Sequence, residues 1–164
     1  FLALSAFLGI FTLILMIFIK RSSKSNIGNE ISRIVSINER CMMIGLFLLT
    51  IGTFLGGVWA NESWGRYWGW DPKETWALVS VLIYAFVLHM RFIPSLRSKL
   101  TFNAVSMFAI WTIIMTYFGV NYYLSGLHSY AAGDPMPIPK FVYYLLALMI
   151  VTAILGKIKY KKYY

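Results

Sequence analysis

Residues 41–60 read CMMIGLFLLTIGTFLGGVWA and residues 75–92 read TWALVSVLIYAFVLHMRF. Between them stands Asn61-Glu62-Ser63-Trp64-Gly65-Arg66-Tyr67-Trp68-Gly69-Trp70-Asp71-Pro72-Lys73-Glu74. About 20 apolar residues cross a ~30 Å hydrocarbon core as a helix, so each flank predicts a membrane span. The intervening run then lies at or just outside one membrane face. Three further blocks qualify or nearly do: Phe1–Ile19, Phe102–Val120 and Phe141–Gly156. With 59% hydrophobic residues, 13% charged and a mean hydropathy of +0.68, no soluble domain is expected. The fold class predicted is all-α, a polytopic membrane helical bundle of about five transmembrane helices forming one integral membrane domain over residues 1–164. The chain opens at Phe1 inside an apolar run, with no starting methionine, basic leader or small-residue cleavage site. It therefore reads as the C-terminal part of something longer.

The formal charge of +9 is distributed as a topology signal rather than as a nucleic-acid surface. Lys20, Arg21, Lys24, Arg33 and Arg40 fill the first loop, and Arg91, Arg97 and Lys99 the third. Lys157, Lys159, Lys161 and Lys162 fill the tail. The other loops hold only Arg66, Lys73 and Lys140, so twelve basic residues face three. The positive-inside rule places the first loop, third loop and tail in the cytoplasm. The tryptophan run and the Asn121–Pro139 loop then face outward. The stretch Ser22–Arg40 is polar, with an amphipathic hint at Ile27, Ile31, Ile34, Val35 and Ile37 that predicts a short interfacial helix on the inner surface. The lone Cys41 makes no intrachain disulfide, and no C-x-x-C or C-x-x-C-H motif is present.

Five of the six tryptophans fall between Trp59 and Trp76, more than the one or two an interfacial belt supplies per helix end. With Gly65 and Gly69 letting the backbone approach something flat, the run suggests a binding platform. Its end is fixed by a helix cap: Asp71 as N-cap, Pro72 first in the helix and Glu74 third, reaching back to the Asp71 amide. Capping accounts for both acids better than catalysis does, and Glu62 and Asp134 are expected to be solvated. Gly45, Gly52 and Gly56 predict a helix-contact groove on the second span, with room for a flat ligand as the alternative. Asn103, Ser106, Thr112 and Thr116 should face other helices in the fourth.

Only two histidines are present. His89 lies 15 residues after Glu74, or ~22 Å along a helix, inside lipid depth and toward the inner face. An ionisable group there is expensive and usually functional. Its helical neighbours Leu82, Ala85 and Phe86 offer no evident side-chain partner. His128 follows Gly126-Leu127 in the outward loop, on the membrane face of the tryptophan run. Imidazole is a common axial ligand of heme iron. A porphyrin, flat and apolar with anionic propionates, suits indole stacking with Arg66 or Lys73 receiving its carboxylates. The two histidines sit at opposite membrane depths, so each needs its opposite ligand from elsewhere. No acid/base dyad, partnered nucleophile or P-loop appears.

The run Trp64-Gly65-Arg66-Tyr67-Trp68-Gly69-Trp70-Asp71-Pro72-Lys73-Glu74-Thr75-Trp76 resembles the "WWD" signature of the heme-handling membrane proteins of cytochrome c maturation. Leu88-His89 and Gly119-Val120-Asn121, with Gly126-Leu127-His128-Ser129-Tyr130, resemble the CcsA/ResC branch, the system II cytochrome c synthase. The resemblance is strong from about Gly56 to Tyr130.

What the resemblance implies is transport and presentation of heme b, as substrate, at the extracytoplasmic face. There the WWD loop, residues 59–76, holds it for attachment to the C-x-x-C-H motif of an apocytochrome c. It implies a place in a holocytochrome c synthase (cytochrome c heme lyase), in the bacterial inner membrane, with a CcsB/ResB-type partner or a fused upstream region. By match, His128 resembles the outer axial histidine and His89 the intramembrane one, as the metal ligands. Trp64, Trp68, Trp70, Trp76, Asp71 and Arg66 are the other heme-site candidates. The family's remaining histidines have no counterpart in these residues. Two other readings are a heme chaperone of system I type that hands heme to another protein, and a heme-free membrane scaffold or transport subunit. The expected partners are heme, apocytochrome c and the lipid bilayer, and no nucleic acid.

Overall fold

The computed structural model describes residues 1–18, 24–127 and 137–163, so His128 and Asp134 lie outside the described residues. The helices are α1 (Leu2–Phe18), α2 (Lys24–Trp64), α3 (Pro72–His89), α4 (Lys99–Ile114), α5 (Val120–Tyr123) and α6 (Lys140–Tyr163). A 3-10 turn, Met90–Phe92, extends α3, and a π-helical turn, Met115–Gly119, joins α4 to α5. No strand occurs among the described residues. The protein is an all-α bundle. Four helical stretches are long and apolar enough to cross a membrane: Gly28–Trp64, Pro72–Phe92, Lys99–Tyr123 and Lys140–Lys159. Leu2–Phe18, at 17 residues, is a shorter apolar helix at the lower limit of a span.

The short interfacial helix expected within Ser22–Arg40 is not a separate element. From Lys24 on, that stretch is the first half of α2, a single helix of 41 residues. No proline stands between Lys24 and Trp64, so nothing removes a backbone donor or forces a break. Ile31, Val35, Asn38 and Met42 are buried. At spacings of four, three and four residues they form one helical stripe, and it faces α1 and α4 rather than a lipid surface. Ile37, off that stripe, is exposed.

The interior holds helices together by polar as well as apolar contacts. Asn38 of α2 accepts from the Ser5 hydroxyl of α1, and its amide donates to Asn103 Oδ1 and Ser106 Oγ of α4, each at 3.3 Å. All four residues are fully buried. Where no water can substitute, each such bond keeps a polar group satisfied and fixes helix register. Thr116 meets Ser80 of α3 at 3.2 Å, so it too faces a neighbouring helix, while Thr112 bonds back to the Ala109 carbonyl. Around this lattice pack Leu13, Met42, Tyr84, Val87 and Met107. Gly9 is where α1 comes closest to α4: a Cβ there would stand 2.8 Å from the Asn103 carbonyl oxygen and 3.3 Å from the Met107 nitrogen.

Of the glycine groove expected on α2, Gly45 receives Leu2 of α1, while among the described residues nothing lies within 4 Å of a Cβ at Gly52 or Gly56.

Candidate functional site

The tryptophan run is built in three parts. Trp59 and Trp64 lie in the last turns of α2, Trp68 and Trp70 in the connection 65–71, and Trp76 in the first turns of α3. Gly65 ends α2: at φ +71° its amide donates to the Asn61 carbonyl at 2.8 Å, the left-handed stop that glycine adopts without penalty. That conformation ends the helix, and a Cβ at Gly65 would meet nothing within 4 Å. Gly69 makes room for something within the chain, since a Cβ there would overlap the Arg66 guanidinium. The tryptophans pair edge to face: Trp59 with Trp64 at 5.0 Å and 80°, Trp68 with Trp70 at 5.9 Å and 89°. Edge-to-face pairing is a favoured arrangement of aromatic quadrupoles. Trp70 is 70% exposed and Tyr67 63%.

Trp70 also has φ +58°, the left-handed region, although it carries a bulky side chain. Such a residue costs about 1–3 kcal/mol and persists only where its surroundings over-determine it. Here they do. Glu74 accepts from the amides of Gly69 at 2.7 Å and Asp71 at 3.1 Å, so one carboxylate grips the backbone on both sides of Trp70. Asp71 and Glu74 form the reciprocal capping box that the sequence predicts, with Pro72 in the first turn. Their charge also suits the positive end of the helix dipole.

Asp71 does more than cap. It is 7% exposed, and its two oxygens serve different segments. Oδ2 accepts from the Lys73 amide at 3.3 Å, while Oδ1 accepts from the Leu127 amide at 2.7 Å, across 56 residues of sequence. Gly126 permits this approach, because a Cβ on it would run into Asp71 Oδ1 and stand 2.8 Å from Pro72 Cδ. A second tie lies alongside, from Lys73 Nζ to Asn121 Oδ1 at 3.3 Å. The chain that leads into His128 is thus clasped to the foot of the tryptophan loop. Sequence reasoning placed His128 and the tryptophans on one membrane face but did not find this clasp; the glycine two residues before the histidine was its visible trace.

Residues 1–128 match the family described as "Cytochrome C assembly protein". The chain belongs to that family. Among curated proteins, 137 residues (84% of this chain) are 52% identical to Protein NrfI of Wolinella succinogenes, where they cover 15% of that protein. Cytochrome c biogenesis protein CcsA of Cyanophora paradoxa is 47% identical over 100 residues, 60% of this chain and 30% of that one. CcsA of Gloeobacter violaceus is 40% identical over 109 residues, 65% of this chain and 30% of that one. The chain thus spans less than a third of these relatives' length. Its role falls, at that level, within cytochrome c biogenesis.

In this cytochrome c assembly protein His89 is the last residue of α3, at the end opposite Asp71. Pro72 to His89 is 18 residues, ~27 Å of helix, so the Leu127 clasp and His89 are separated by a bilayer-scale distance. His89 is exposed, and its Nδ1 lies 2.7 Å from the Ala85 carbonyl oxygen, with the Phe92 ring at 5.9 Å. The partner that side-chain inspection failed to supply is therefore a backbone group one turn back, a candidate the sequence offers at every helical position. That bond orients the ring and, with a carbonyl oxygen as acceptor, has Nδ1 as the donating nitrogen. Arg91, just beyond, pairs with Glu39 of α2 at 3.6 Å. Glu62 and Arg66 are exposed, Trp64, Trp68 and Trp76 half-buried. Among the described residues, no group of three or more His, Cys, Asp or Glu could hold a metal ion.

Proposed function

We propose that this chain carries the heme-presenting part of a system II cytochrome c assembly protein. In this reading heme is a substrate, held on the extracytoplasmic face of a bacterial inner membrane and offered to the C-x-x-C-H motif of an apocytochrome c. His128 supplies an axial nitrogen to the iron, and the exposed faces of Trp70 and Tyr67 receive the porphyrin plane. Arg66, exposed beside Gly69, takes a propionate. Trp64, Trp68 and Trp76 support that platform, and Asp71 acts as a positioning residue. His89, at the far end of α3, serves a second heme position near the inner face. The remaining axial ligands come from a fused upstream region or a CcsB/ResB-type partner, and the basic tail lies in the cytoplasm.

The observation that carries this reading is the Leu127 amide on Asp71, which brings the segment entering His128 to an exposed aromatic loop. An apolar aromatic face with one cation beside it suits a flat apolar disc with carboxylates. The test is His128→Ala in the full-length protein with its partner. Heme retained at the outer site, read from the Soret band, and the yield of holocytochrome c should both fall, and added imidazole should restore part of the heme. Unchanged heme content and yield would remove His128 from the site. A colourless wild-type preparation would favour a heme-free scaffold. Heme retention without attachment activity would favour a chaperone of system I type.

A further inference from the structure

At the end of the bundle opposite the tryptophan loop lies a cavity of about 460 Å³ between α1, α2 and the connection from α3 to α4. Its floor is apolar: Met16 near the end of α1 and Ile31 of α2, both buried. Arg97, Ser98 and Lys99 form its rim, and Gly28 leaves it open, with nothing within 4 Å of where a Cβ would stand. Among the described residues no carboxylate lines it. Two other cations nearby are compensated, Arg33 by Glu30 at 3.2 Å and Arg91 by Glu39 at 3.6 Å. The rim cations are not. Among the described residues the Arg97 guanidinium has no hydrogen bond or ion pair, and Lys99 Nζ donates only to the Ser32 hydroxyl. Helix α4 starts at this rim, with Ser98 as its N-cap, so its first-turn amides add positive potential.

We propose that this cavity holds the phosphate of an anionic phospholipid, bound by Arg97 and Lys99, with the start of its acyl chain against Met16 and Ile31. Two uncompensated cations call for an anion, and a dry floor beneath them calls for one with an apolar body. A free phosphate would leave the floor unused. The lipid's chain would continue along α1, whose outer surface is hydrocarbon-seeking; Phe18, at its end, is 77% exposed. Basic pockets between membrane helices are an established kind of headgroup site. The inference is independent of where heme binds.

The test uses the full-length protein reconstituted in vesicles of phosphatidylcholine mixed with phosphatidylglycerol, extracted gently, and read by native mass spectrometry for retained lipid. Wild type should keep phosphatidylglycerol in preference to phosphatidylcholine. Arg97→Gln with Lys99→Gln should weaken that retention roughly 30-fold, the equivalent of about 1 kcal/mol for each cation. Gly28→Leu, which fills the cavity without touching a charge and improves helix propensity, should also abolish it. Lys157→Gln with Lys159→Gln removes the same charge from α6 and should leave retention intact. Equal loss in the α6 variant would replace the site with diffuse surface attraction. Full retention in Gly28→Leu, or displacement of the lipid by inorganic phosphate alone, would overturn the proposal.

Discussion

Gly126→Ala isolates the clasp between the two loops. The added methyl carbon would collide with Asp71 Oδ1 and stand 2.8 Å from Pro72 Cδ and 3.0 Å from Asp71 Cγ. None of these can yield cheaply, because Asp71 is 7% exposed and its other oxygen caps α3. The segment 126–127 must therefore lift, and the Leu127 amide loses its 2.7 Å bond to Asp71. A hydrogen bond to a charged group contributes about 1.5–3 kcal/mol, so the closed state should lose roughly 10- to 150-fold in population. The capping box does not involve Gly126, so α3 should stay helical. The assay is amide hydrogen exchange on the full-length protein in detergent. Protection of the peptide containing Leu127 should fall by that factor while the peptide covering the first turns of α3 is unchanged. If the Leu127 peptide keeps its protection, the clasp contributes nothing. If both peptides lose protection together, the glycine serves the helix start instead. Asp71→Asn gives the complementary case: asparagine remains a good N-cap, but the loss of charge should cost the clasp about 1 kcal/mol.

Two further outcomes concern the bundle. Asn38→Ala removes the partner shared by Ser5, Asn103 and Ser106, and at about 0.6 kcal/mol per interhelical bond in a membrane should cost ~2 kcal/mol. Unfolding in mixed micelles measures it, and an unchanged midpoint would show that the three groups find other partners. Gly9→Ala puts a carbon 2.8 Å from a backbone oxygen of α4, so α1 and α4 must part. A destabilisation of about 1–3 kcal/mol is expected in the same assay, and a neutral result would mean that α1 packs elsewhere.

The presence of the apolar helices was legible because hydrocarbon thickness dictates how long an apolar run must be, but α2 begins well before the expected Cys41. The start of α3 was legible to the residue, since Asp71, Pro72 and Glu74 each have one well-defined use at a helix N-terminus. The first half of α2 was misassigned for a physical reason. An amphipathic stripe states only that one face is apolar, and Ile31 and Val35 bury it against other helices as readily as against lipid. The Asp71–Leu127 bond could not be read at all, because a backbone amide has no signature in sequence and only Gly126 hints at the approach. His89's bond to the Ala85 carbonyl escaped for the same reason. That Gly65 also stops a helix emerged only from its positive φ.

α2 ties the two ends of the molecule mechanically. From Ser32, which receives Lys99 beside the basic-rimmed cavity, to Trp64, which opens the indole loop, the helix is uninterrupted. That is a stiff shaft of ~48 Å. A tilt of about 5° imposed at the Ser32 end sweeps Trp64 through ~4 Å, comparable to the thickness of an aromatic ring. A rigid displacement at one end of this shaft is therefore carried to the tryptophan loop at the other.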